Sequence, residues 1–182
     1  MEWYELRGAR VGAVIAVAAV VGFLVWLLAI HDSGDDTSNV TAGAGPVASS
    51  ETNLVALAAE LGHPVYWAGE QDDTKLEVTE SKDGRVFVRY LTAGAKIGEP
   101  KAKFLTVATY PFQDAYDALK KVAKKPGAIV DKTGDGLVVT NRADPNSVYL
   151  AYPDEDLQIE VFDPSPKRAL NLTTSGDVQP VG

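Results

Sequence analysis

Residues 76–91 read "LEVTESKDGRVFVRYL", and residues 137–153 read "LVVTNRADPNSVYLAYP". Each has the pattern of a hairpin: two runs rich in β-branched and aromatic residues around a polar turn. With one extra residue in the second turn, Leu76, Val78 and Thr79 match Leu137, Val139 and Thr140. On the return strands Val86, Phe87, Val88 and Tyr90 match Val148, Tyr149, Leu150 and Tyr152. Each stretch follows a helical segment, a Gly and a short apolar run, and each leads to "VATYP" or "EVFDP". Self-similarity of this kind marks a duplicated unit. The expected fold is α+β: one antiparallel-sheet domain built from two similar helix-plus-strands units, 53–111 and 112–164, with the helices on one face. A chance likeness of two strand-rich hairpins is the competing reading.

The elements around the hairpins follow from caps and periodicity. "NLVALAAELG" predicts a helix capped by Thr52 or Asn53 and stopped by Gly62. "FQDAYDALKKVAKK" places Phe112, Ala115, Tyr116, Leu119, Val122 and Ala123 on one helical face, with acids early and lysines late. "SPKRALNL" predicts a last helix with Ser165 as cap and Pro166 in its first turn. "KLEVTE", "FLTVATYP", "AIVDK" and "LQIEVF" read as strands. In "LQIEVF", Leu157, Ile159 and Val161 alternate with Gln158, Glu160 and Phe162, which predicts one core face and one mixed, solvated face.

Upstream, Val11–Ile30 holds no charge, Pro, Asn or Gln. As a helix this run rises about 30 Å, the thickness of a bilayer's hydrocarbon layer. It predicts a transmembrane helix over 11–30, with the lipid bilayer as its partner. The run exceeds the apolar core of a secretory signal, and "AIHD" after it offers no small-x-small cleavage site, so an uncleaved anchor is expected. Arg7 and Arg10 precede the run, and no Lys or Arg follows before Lys75. Positive residues stay inside. The expectation is a single-pass cell-membrane protein with a cytoplasmic tail (1–10), a flexible linker (31–52) and an extracytoplasmic domain (53–182).

The chain carries 17 basic and 25 acidic residues, a net charge of −8, which argues against nucleic acid as a partner. With no Cys there are no disulfides, no thiol nucleophile and no thiolate metal site. In an exported domain, that absence favours a bacterial envelope. "LGHPVYWAG", "GRVFVRYL", "FLTVATYP", "SVYLAYP" and "VQPVG" resemble segments of short, single-pass actinobacterial envelope proteins with no assigned activity. The resemblance implies bacterial origin and assigns no chemistry.

No complete catalytic or cofactor motif is legible, and no cofactor is expected. A Ser-His-Asp site would have to use His63, which sits between Gly62 and Pro64 after a helix, where a His caps carbonyls or is solvated. "GAKIGEPK" lacks the Lys-Ser/Thr step of a phosphate loop, and "DKTGDG" lacks the acidic twelfth residue of a calcium loop. Two groups qualify as contact surfaces. His63, Tyr66 and Trp67 combine large rings with polar tips, and the alternative for them is a core seal. Lys120, Lys121, Lys124 and Lys125 could meet anionic wall polymer or headgroups, and the alternative is a solvated helix face. The expected role is a non-enzymatic interaction or ligand-binding module of the envelope, whose partner is another envelope protein or a wall polymer. The rival classes are a carboxylate-based cell-wall hydrolase and a structural partner of another membrane protein. The latter would pack through Gly8, Gly12 and Ala16.

Overall fold

The computed structural model describes residues 45–182. The expected tail, anchor and first part of the linker lie outside the described residues. Among the described residues no helix is long and apolar enough to cross a membrane.

The chain order is β1 (Val47–Ser49), α1 (Glu51–Leu61), β2 (Tyr66–Trp67), β3 (Thr74–Glu80), β4 (Val86–Thr92), β5 (Thr106–Pro111), α2 (Ala115–Val122), β6 (Ala128–Thr133), β7 (Gly136–Asn141), β8 (Asp144–Ala151), β9 (Leu157–Phe162), α3 (Pro166–Ser175) and β10 (Gln179–Pro180). The fold is α+β. Eight strands form one antiparallel sheet in the order β1-β3-β4-β5-β9-β8-β7-β6, and β10 and β2 form a small ribbon.

Local chemistry sets the helix ends. Ser50 caps α1, its hydroxyl accepting from Asn53 N, and Gly62 closes it in the left-handed region at φ 71°. The domain therefore starts ahead of the expected boundary at residue 53. Val47–Ser49, read from composition as linker, pairs with Leu76–Val78 as an edge strand. Helix α2 starts at Ala115, later than the expected Phe112. The Phe112 and Asp114 amides donate to the carbonyl and carboxylate of Asp156 at 2.8 and 2.9 Å, which holds the lead-in outside the helix. Ser165 caps α3 and Pro166 opens it, as the sequence predicts.

Read outward from the β5–β9 seam, the sheet is laid out alike on both sides. Val86 faces Thr109, and Val148 faces Val161. Ala108 and Glu160 face each other on the seam, with Phe87 beside one and Tyr149 beside the other. Phe87 and Tyr149 thus hold equivalent stations, as the hairpin match expects. The outer strands correct that match by one residue. Val78 faces Val88, but it is Val138, not Val139, that faces Leu150. A one-residue slip changes the face of a strand. Val78 and Val138 indeed share the first core, and Val139 lies in the second. An irregularity in register at Thr140/Asn141 absorbs the difference.

The helices do not share one face, contrary to expectation. Leu54 of α1, Ala169 of α3 and the β2–β10 ribbon pack with Val88, Val107, Val148 and Val161 on one side. Ala115, Leu119 and Val122 of α2 pack with Leu137, Val139, Tyr149 and Ala151 on the other. The expected solvated face is therefore covered as well. Over β3 and β4 the cover is the segment between β4 and β5. There Arg89, 8% exposed, donates to Glu77, 0% exposed, at 2.6 Å. Gly98 N donates to the same carboxylate, and Arg89 also donates to Glu99 O at 2.7 Å and lies over the Phe104 ring. The polar half of the alternation is thus satisfied internally.

Candidate functional site

The two groups singled out by sequence separate in the structure. Tyr66 and Trp67 form β2 and are 2% and 5% exposed. The Tyr66 amide donates to Thr109 Oγ1 at 2.9 Å, and its hydroxyl donates to Glu155 Oε2 at 2.9 Å. Its ring stacks on Tyr152 with centroids 6.1 Å apart. Burial, followed by the Glu155 hydrogen bond and charge, raises the Tyr66 hydroxyl far above the usual tyrosine value. The aromatic pair is core, which corrects its candidacy as a contact surface: the antiparallel β2–β10 ribbon seals the first core with these two rings. His63 is half-buried. Its Nδ1 lies 2.9 Å from the Pro64 carbonyl, and its Nε2 has no partner among the described residues. Neither nitrogen caps α1, whose last turn is closed by the Gly62 amide bonding Ala58 O.

The lysines lie at the surface. Helix α2 turns Ala115, Leu119 and Val122 inward, leaving Lys120, Lys121 and Lys124 exposed and Lys125 half-buried. Asp117 binds Lys120 at 2.9 Å, which lowers the carboxyl and raises the ammonium. The chain passes through Pro126–Gly127 straight into β6, the outermost strand. There Ile129 and Val130 are 40% and 48% exposed. Arg142 joins this corner because its amide donates to Gly127 O at 3.0 Å. The stretch "DKTGDG", which lacks the acidic twelfth residue of a calcium loop, forms the tight β6–β7 turn, with Thr133 facing Gly136.

No family model, no curated protein and no solved structure matches this chain.

Sequence reading missed a buried polar cluster on the sheet face under α2. Glu160, 2% exposed, accepts from Tyr110 Oη at 2.8 Å, Ser147 Oγ at 2.7 Å and Tyr149 Oη at 3.3 Å. Burial is the main influence on this carboxyl, pushing it up to about 7 against the pull of the three hydroxyls. Gln158, on the same face, donates to Leu150 O and Ile159 O, while its Oε1 has no partner among the described residues. The only signal in the sequence was an acid and an amide in an otherwise apolar strand, which reads equally well as a wet face. Both unusual carboxyls, Glu160 and Glu77, are enclosed and bonded to protein groups, so neither presents an oxygen to a cleft. A shallow cleft of about 310 Å³ runs along α3, lined by Ser165, Lys167, Asn171, Leu172, Ser175 and Asp177. Arg168 at its edge is held by Asp163 at 3.2 Å and Gln71 at 2.9 Å.

Proposed function

We propose that the chain is a single-pass bacterial envelope protein, anchored through residues 11–30, whose outward α+β domain is a non-catalytic interaction module. The observation that carries this reading is where the domain puts its polar chemistry. Its aromatic candidates and its two unusual carboxyls face inward, while the α2 lysines remain exposed beside β6, the edge strand of the sheet. An acid pair for glycoside hydrolysis must flank a substrate, and Glu77 and Glu160 are each closed over by protein. The anchor and its orientation are supported by the uncharged run and by Arg7 and Arg10 ahead of it.

We further infer that the sheet descends from two similar units. The equivalent stations of Phe87 and Tyr149 about the Ala108–Glu160 pair support this. The helices have diverged from the repeat, since α1 and α2 pack on opposite faces.

A topology reporter fused after Gly182 tests the main reading. Activity only outside the cytoplasm is expected, together with retention in the membrane fraction after a carbonate wash. Activity in the cytoplasm, or a soluble product lacking residues 11–30, overturns it.

A further inference from the structure

We propose that the edge formed by α2 and β6 docks a phosphate-bearing anionic polymer of the envelope. The proposal rests on the extracytoplasmic reading above and names the partner of that surface.

Charge is the first support. Residues 115–133 carry five lysines against two aspartates, within a chain of net charge −8. Asp117 engages Lys120, and Asp131 turns its carboxylate to the Lys132 amide at 2.8 Å. Among the described residues, Lys121, Lys124, Lys132 and Arg142 make no ion pair, and all four are exposed.

The edge strand is the second. β6 pairs only with β7, so one row of its backbone N–H and C=O groups has no strand partner. Two β6 amides are already engaged, Ala128 N with Lys125 O at 3.2 Å and Lys132 N with Asp131 Oδ1 at 2.8 Å, so only the outward amides that remain can donate to phosphate oxygens. Val130, paired with Val139 and so on the α2 side of the sheet, supplies apolar contact for the polymer's carbon backbone between charges.

Position decides between two anionic partners, lipid headgroups and soluble polymer. The chain enters the described domain at β1, the opposite edge of the sheet from β6. Seven inter-strand steps separate the two edges, roughly 34 Å. An anchor ahead of residue 45 joins the domain at the β1 edge, across the whole sheet from the α2–β6 edge, which favours a wall-side partner over headgroups.

The test uses the full chain in nanodiscs of zwitterionic lipid, titrated with long-chain inorganic polyphosphate and, separately, with phosphatidylglycerol vesicles. Polyphosphate is expected to bind, with a log–log salt slope of about −3, near −0.7 for each of four neutralised phosphates. The triple variant Lys121→Gln/Lys124→Gln/Lys132→Gln is expected to weaken binding at least tenfold at unchanged Tm. The control pair Lys75→Gln/Lys82→Gln, in the other half of the domain, is expected to leave it unchanged. Absence of polyphosphate binding overturns the proposal. So does equal weakening by the control pair, or tighter capture by the lipid vesicles through the same lysines. These outcomes are independent of the reporter assay: an outside reporter with no polymer binding removes this inference and leaves the topology intact.

Discussion

Ala108 and Glu160 are direct partners across the β5–β9 seam, and Glu160 is the buried carboxyl on which Tyr110, Ser147 and Tyr149 converge. Phe87 of β4 and Val122, Leu119 and Ala115 of α2 add no charge to this face. Asp144 raises Glu160 slightly, and Arg85 acts on Tyr110. No cation pairs with Glu160 among the described residues. Burial outweighs the three hydroxyls that donate to this carboxyl, so the neutral acid is favoured up to a pH of about 7.

Stability is therefore expected to depend on pH in one direction through this group. Its carboxyl titrates at 4.5 when unperturbed and at about 7 in the folded chain. Between those values the folded state holds a proton that the unfolded state has lost, so the contribution is complete below pH 4.5 and is lost as pH rises through 7. The shift corresponds to roughly 3 kcal/mol. Denaturant titrations from pH 4.5 to 8 should show this loss in the wild type and not in Glu160→Gln. Parallel curves for the two proteins would show that Glu160 is ionised throughout.

The small side chain opposite Glu160 is a packing requirement. Ala108 is 1% exposed and shares a cluster with Phe87 and Tyr110, whose rings meet edge to face at 5.8 Å. Ala108→Leu is expected to cost about 1–3 kcal/mol by overpacking, read as a lowered denaturation midpoint with unchanged m-value. A neutral result would mean the seam has space that the packing does not suggest.

The Glu77–Arg89 pair is expected to behave as a unit. Arg89→Met strands a fully buried carboxylate and is expected to cost about 3–5 kcal/mol. Glu77→Leu/Arg89→Met removes both charges and should recover most of that loss, although Gly98 N and Glu99 O lose their partners. A double-mutant cycle measures the coupling, and strict additivity would refute it.

Trp67 is expected to act through stability alone. Trp67→Ala opens the first core beneath the β2–β10 ribbon and should cost about 3–5 kcal/mol. Calorimetry checks this. A variant that melts with the wild type would return Trp67 to the surface as a contact residue.

The sequence by itself determined strands β3 to β9, the antiparallel class, the caps at Gly62 and Ser165 and the matching stations of Phe87 and Tyr149, because these rest on alternation, turn chemistry and cap preferences over a few neighbouring residues. It could not place Val47–Ser49 in a strand, since an edge strand of three residues owes its conformation to Leu76–Val78 and not to its own composition. Nor could it tell Val138 from Val139 as the partner of Val78, because the shift is absorbed by an irregularity at Thr140/Asn141 that no local residue announces. The inward turn of Tyr66 and Trp67, the covering of both sheet faces and the burial of Glu77 and Glu160 were decided only in the tertiary structure. An acid in an alternating strand looks the same whether water or a tyrosine hydroxyl satisfies it. The difference lies in residues such as Tyr110 and Glu160, 50 positions apart in sequence and joined only when β5 meets β9.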